Sequence, residues 1–369
     1  MAWLNNIIRN GLAGIEKYKY GKPVSELQRE LGLDRVIRLC SNENPWPLPE
    51  SVMNAISASL EKINFYPDPQ SYRLRRLLAE KWGVSTGEVI IGAGTEGILH
   101  SLFHAIINPG DEVVCPVPSY PLYRVAAIAS AANFVEVPIQ EGSTWEISKV
   151  LDYCTEKTKA VVISNPCNPT GQILERDRML TLARELDSKQ ILLVVDEAYA
   201  EYVEDPNYLA GIELFRDIGR IVITRTFSKI YGLAALRVGY AIAPKTIVDA
   251  YDKLHPVFEV SRVGQYAAHA ALLESAFIRD VRLKTIAERN RIVSRLSDMG
   301  VSAENTRTNF ILIKHRKCSE IYQKLLEEGV IVRKGSDLGL DGYLRVTVGL
   351  PEQNEVFLAS IKKVLNKVV

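Results

Sequence analysis

The sequence predicts an α/β fold: a large domain with a mostly parallel seven-stranded sheet between helices, and behind it a smaller α+β domain. Three features carry that expectation. Between about residues 80 and 245, short apolar runs alternate with helical patterns, as in a sheet covered on both faces. Several runs are apolar at consecutive positions, which burial of both sheet faces requires. Beyond about residue 250 the pattern changes to longer helices with a few short strands.

In chain order, strands are expected over 88–91, 112–115, 134–137, 160–164, 191–195, 221–224 and 238–243. The runs close on Gly92, Asn165, Asp196 and Thr226, and in open α/β sheets the ligand crevice lies outside the carboxyl ends of the strands. Downstream, helices are expected over 275–299 and 318–328, with strands over 310–313, 330–332 and 344–348. The first 40 residues hold two helical patches and too little apolar sequence for their own core. They are read as an arm (1–40) packing on the small domain or a partner subunit, before a large domain (41–250) and a small one (251–369).

Composition narrows the function classes. Lys and Arg number 45 against 44 Asp and Glu, a net charge of +1, so no field draws this chain to nucleic acid. The apolar runs fall far short of the roughly 20 residues a membrane helix needs. Asn5, Asn6 and Arg9 interrupt what would be the core of a secretory signal. Five scattered cysteines without a CxxC pair fit a reducing compartment and no metal site, so a cytoplasmic protein is expected.

Four strand ends carry chemistry. Gly92-Ala93-Gly94-Thr95-Glu96-Gly97 opens a helix whose N–H groups could hold a phosphate. It also spells GxGxxG, which leaves open a dinucleotide site and hence an NAD-dependent oxidoreductase. The acidic partner that reading needs, Asp111, precedes its strand. A glycine turn without a ligand is the plain alternative. In Asn165-Pro166-Cys167-Asn168-Pro169-Thr170-Gly171, two prolines fix the backbone around Asn168, whether for a site or simply for a turn. Asp196 follows five aliphatic residues, where a carboxylate needs a partner: a helix N-terminus, or a protonated ring nitrogen that it keeps charged. Thr226-Phe227-Ser228-Lys229, with Arg237 eight residues beyond Lys229, offers two hydroxyls and a guanidinium for a phosphate and an amine beside it.

In this order, at the ends of successive strands, these motifs resemble the fold-type I aminotransferases that use pyridoxal 5'-phosphate. The resemblance covers nearly the whole chain. It is closer still to the histidinol-phosphate aminotransferase family, through Ser41-Asn42-Glu43-Asn44-Pro45, Tyr66-Pro67-Asp68, Thr226-Phe227-Ser228-Lys229-Ile230-Tyr231-Gly232-Leu233, Leu236-Arg237-Val238-Gly239-Tyr240 and Leu344-Arg345-Val346-Thr347-Val348-Gly349. The resemblance implies that Lys229 condenses with the cofactor aldehyde and later moves the proton between the substrate α-carbon and cofactor C4′. It implies that Asp196 keeps the pyridine nitrogen protonated, that Asn168 and Tyr199 bond the cofactor O3′, and that Tyr120 stacks on the ring. Gly94, Thr95, Thr226, Ser228 and Arg237 are implied phosphate ligands, joined by Tyr66 from the other subunit of a homodimer with shared sites. Arg345 is the implied clamp for a substrate carboxylate, with Tyr18, Asn44 and Arg333 also on the substrate side.

The implied reaction is amino transfer between histidinol phosphate and 2-oxoglutarate, in histidine biosynthesis. Two segments depart from the family pattern: Lys17-Tyr18-Lys19-Tyr20-Gly21-Lys22 and Val257-Phe258-Glu259. Glu259, facing the pocket, would repel a phosphate and favour a cationic amino acid; facing water, it would do neither. An aromatic or basic amino-acid aminotransferase and a decarboxylase of a phosphorylated amino acid are therefore the alternatives on the same scaffold.

Overall fold

The computed structural model describes residues 7–9, 11–12, 15–17, 19, 21–139 and 146–368. Its strands, in chain order, are β1 (Ile37–Arg38), β2 (Val89–Gly92), β3 (Glu112–Val117), β4 (Asn133–Pro138), β5 (Thr158–Ser164), β6 (Leu192–Asp196), β7 (Ile221–Thr226), β8 (Gly239–Ile242), β9 (Ser302–Glu304), β10 (Phe310–Lys314), β11 (Val330–Ile331), β12 (Arg333–Lys334) and β13 (Tyr343–Thr347). All seven strands expected before residue 250 join one sheet, in the order β2-β8-β7-β6-β5-β3-β4. Its pairs are parallel except those of β8, which runs antiparallel to both β2 and β7. The physical cause is the short connection from Thr226 to Gly239, which holds one 3₁₀ turn and no crossover helix. That return brings Arg237 back beside Ser228.

Side chains of β5 and β6 alternate between the two faces. Val161, Ile163, Leu193 and Val195 enter one apolar cluster, and Ala160, Val162, Leu192 and Val194 enter the other. Every residue of β6 and β7 is buried, which explains the apolar runs over 192–195 and 221–223. Among the helices covering the sheet are α1 (Gly94–Ile106) and α2 (Leu122–Ala129), whose buried residues join the second cluster.

The second sheet is antiparallel, in the order β12-β13-β10-β9, and packs with helices Ser275–Asp298 and Pro351–Val368 around Phe310–Lys314. The expected strand over 330–332 divides at Val332. Its first half, β11, pairs in parallel with β1, and its second half, β12, pairs with β13. Leu39 accordingly sits in the apolar cluster of the C-terminal sheet, and its carbonyl accepts from Thr347 N–H at 2.9 Å. The residues just after Leu39 therefore pass between the two sheets. No helix among the described residues is long and apolar enough to cross a membrane.

Candidate active site

Four neighbouring parallel strands end on the same edge of the large sheet, and the candidate residues follow them: Tyr120 after β3, Asn168 after β5, Asp196 at the end of β6, Lys229 after β7. Asp196 is buried. Its Oδ2 accepts from Tyr123 Oη at 2.6 Å, and its Oδ1 from Ala198 N–H at 3.2 Å and Thr224 Oγ1 at 3.3 Å. Burial pushes its carboxyl up to about 6, against the pull of these donors. The adjacent carboxylate, Glu197, turns to the opposite face. It binds Arg225 Nε at 2.9 Å and Nη2 at 2.6 Å, and that guanidinium lies over the Trp82 ring. Two consecutive buried acids are thus tolerated because one is neutralised by its own arginine.

Lys229 Nζ donates to Ser41 O at 3.2 Å and lies 5.7 Å from the Tyr199 ring centroid. Burial, then the positive charge of Arg345, brings its amine down to about 8. Arg237 Nη1 donates to Ser228 Oγ and to Ala234 O, both at 3.2 Å, and Ser228 N–H donates to Thr226 Oγ1 at 3.0 Å. Across from this cup stands the N-terminus of α1. Gly94 there has φ +75, and a Cβ on it would come within 2.7 Å of Arg237 Nη2. Thr95 Oγ1 is buried and has no hydrogen-bond partner among the described residues. Thr95, Asp196, Ser228, Lys229 and Arg237 line one cavity. An adjoining cavity shares Tyr120, Asn168, Tyr199 and Lys229 with it and adds Asn42, Arg333 and Arg345.

Gly239 explains how tightly the cup is built. A Cβ there would lie 2.7 Å from both Gly94 C and Thr95 N, which are backbone atoms with nowhere to move. Gly239→Ala is therefore expected to push the glycine turn outward. Titration of anion binding should then weaken roughly tenfold, an order set by losing one charge-assisted hydrogen bond.

Arg333 and Arg345 stand directly opposite each other on β12 and β13, and both are buried. Arg345 donates to Asn168 Oδ1 at 2.7 Å and to Cys40 O at 3.0 Å, and Arg333 Nη2 donates to Lys19 O. Both expected substrate-side arginines thus reach the lysine's cavity. Asn44 does not. Its amide donates to Ile230 O at 2.7 Å and its carbonyl accepts from Trp46 N–H at 3.0 Å, so it shapes the chain locally. The pocket residue is Asn42, two positions earlier, held at φ 54. It donates to Tyr199 Oη at 2.8 Å and accepts from Thr347 Oγ1 at 3.1 Å. Its place in the Ser41–Pro45 motif was the signal available for it.

Tyr18 lies outside the described residues. Tyr66 lines neither cavity; it is 77% exposed and stacks on Phe258 at 4.5 Å. Glu259 faces neither the substrate cavity nor water. It accepts from Ala93 N–H at 3.1 Å and Tyr251 Oη at 3.0 Å, and pairs with His255 at 3.1 Å, just before the first turn of α1. The dinucleotide reading loses its acid as well: Asp111 precedes β3 and caps a turn through Asn108 N–H at 2.8 Å.

The sequence matches the family model for aminotransferase class I and II over residues 34–361. The chain belongs to this aminotransferase family. Curated relatives of this aminotransferase include histidinol-phosphate aminotransferase 2 of Carboxydothermus hydrogenoformans, 37% identical over 97% of this chain and 99% of that one. The histidinol-phosphate aminotransferase of Bacillus velezensis is 35% identical, over 97% of this chain and 99% of its own. Among solved structures, that of histidinol-phosphate aminotransferase from Sinorhizobium meliloti in complex with pyridoxal-5'-phosphate superposes with a TM-score of 0.89 at 26% identity, covering 98% of each chain. The aminotransferase therefore has the fold-type I architecture expected from its sequence.

Proposed function

We propose that this aminotransferase uses pyridoxal 5'-phosphate to move an amino group between histidinol phosphate and 2-oxoglutarate, serving histidine biosynthesis. The observation that carries the substrate reading is the facing pair Arg333 and Arg345 in the cavity shared with Lys229. Two permanently cationic forks suit a substrate pair in which one partner brings a phosphate and the other carboxylates. Relatives at 35–37% identity over almost the full chain bear the same substrate in their names. The engagement of Glu259 just before the first turn of α1 removes the reason to expect a cationic amino acid.

The residues present fit the cofactor. The Thr95 hydroxyl, which has no hydrogen-bond partner among the described residues, the Gly94 turn and the Arg237–Ser228 pair form an anion cradle, and Asp196 supplies a buried negative charge for a ring nitrogen. When bound, the cofactor supplies an aldehyde and an electron-accepting ring. Lys229, with its amine near 8, keeps a usable neutral fraction at physiological pH, and its Nζ would take the proton from the substrate α-carbon and return it. Tyr120 would cover one ring face; Asn168 and Tyr199 would orient the phenolic oxygen, and Thr226 would complete the cradle.

We assign Tyr66 to the partner's phosphate cradle in a homodimer. Ile63 and Phe65, close to it in the chain, and Val257, next to its stacking partner Phe258, are exposed apolar side chains that a second copy would cover. Tyr66→Phe is expected to raise the cofactor Kd roughly tenfold, one hydrogen bond to a charged group; an unchanged Kd, or a monomer in sedimentation at micromolar concentration, removes Tyr66 from the site. The division near residue 250, with residues 1–40 as an arm, is proposed on the separate seven-stranded and four-stranded sheets. The cytoplasm is proposed on the five cysteines, all free thiols.

The deciding experiment offers histidinol phosphate, phenylalanine and arginine separately with 2-oxoglutarate and measures glutamate formed. Histidinol phosphate should lead by at least about 100-fold in kcat/KM, the discrimination expected of a site built on charged contacts. Preference for either amino acid would reassign the substrate, and carbon dioxide release without glutamate would make the protein a decarboxylase.

A further inference from the structure

Tyr123 belongs to none of the motifs that locate the site, yet it touches two of the groups assigned to the cofactor ring. It lies on the first turn of α2 with its side chain fully buried. Its Oη donates to Asp196 Oδ2 at 2.6 Å, and its ring meets Tyr120 edge to face, 5.5 Å between centroids at 80°.

The arrangement around Asp196 gives that contact a consequence. Oδ1 already accepts from Ala198 N–H and Thr224 Oγ1, so both its lone pairs are engaged. Oδ2 accepts from Tyr123 alone among the described residues and keeps one acceptor position. The charged and titratable groups around Asp196 are few. On its own strand Glu197 turns away to Arg225, after β7 comes Lys229, and from α2 comes Tyr123. Tyr123 is thus the one titratable side chain that bonds the carboxylate directly in the described structure. Burial and the charge of Asp196 hold the phenol proton in place far above the ordinary range, so the hydroxyl remains a donor at any working pH.

We propose that Tyr123 is a positioning residue for the ring nitrogen: it leaves Oδ2 as the oxygen that receives the ring N–H, favours the ionised form of Asp196, and braces Tyr120 against the ring. This rests on the pyridoxal-phosphate reading above.

The test measures cofactor Kd for the cofactor-free protein between pH 5 and 8, in the wild type, Tyr123→Phe and Tyr123→Leu. In the wild type, affinity should fall as pH drops through the carboxyl of Asp196. Tyr123→Phe keeps the ring contact and loses the donor. Its inflection should move up by about one pH unit, equivalent to roughly tenfold weaker binding on the acid side, with little change at pH 8. Tyr123→Leu should also lose affinity at pH 8, because Tyr120 is no longer braced. Placing 3-fluorotyrosine at position 123 makes a stronger donor without removing any contact, and should move the inflection down. Coincident inflections in the wild type, Tyr123→Phe and the fluorinated protein would overturn the proposal. If Tyr123→Phe does not fold, the fluorinated protein alone decides it. Absence of cofactor binding by the wild type would instead overturn the cofactor reading, a separate result.

Discussion

Lys229→Ala is expected to lower amino transfer by at least about 10⁴-fold while leaving a folded protein, since on the proposed reading it deletes both the amine that would engage the cofactor and the base. The amine sits where burial and Arg345 bring it down to about 8, and in the described structure it hydrogen-bonds a single carbonyl, Ser41 O. A second consequence has the opposite sign. The folded protein holds this amine at a lower value than the unfolded chain, which keeps the ordinary 10.5. The cost of burying the ammonium is therefore fully present below about pH 8 and is lost as pH rises towards 10.5. Removing it as Lys229→Met, which fills the same space, should stabilise the cofactor-free protein at pH 7 by roughly 3 kcal/mol, and by almost nothing at pH 10.5. Activity assays and thermal unfolding at the two pH values check both halves. Residual activity within tenfold of wild type would take Lys229 out of the reaction.

Asp196→Asn is expected to cost about 10³-fold in kcat, the scale of losing one preorganised charge at a reacting centre. The amide can still accept from Ala198 N–H, so the local geometry survives while the negative charge proposed to face the ring nitrogen does not. The native carboxyl stands near 6, above the usual carboxylate range, so wild-type activity should fall on the acid side as Asp196 takes up a proton. In the cofactor-free protein the raised value means that ionised Asp196 destabilises the fold above about pH 6 and ceases to do so as pH falls towards 4. The asparagine variant should accordingly match or exceed the wild-type Tm at pH 7 without cofactor and lose that advantage near pH 4. A variant with wild-type kcat would break the assignment.

Much of this site was legible before any coordinates. Asp196 closes five aliphatic residues, Asn168 stands between two prolines after another buried run, and Lys229 follows a third. Each is marked by its own neighbours in the chain, and the structure sets all three at one edge of the sheet. The sequence leaves Glu259 open between pocket and water, and it places Asn44 on the substrate side by resemblance alone. Both occupy positions where the local sequence permits a pocket residue, but the partners that engage them, Ala93 and Ile230, lie 166 and 186 positions away.

From the chain alone came the large sheet, the polar residues that end its strands, and hence the chemistry. A strand buried on both faces must write an unbroken apolar run, and the first polar residue beyond it has to stand at an edge. Tertiary packing alone decided that Tyr123 bonds Asp196 across 73 positions, that Asn42 reaches Tyr199 across 157, and that Arg345 meets Asn168 across 177. Such contacts depend on where whole elements come to rest against each other, and the spacing of residues along one segment carries no record of that.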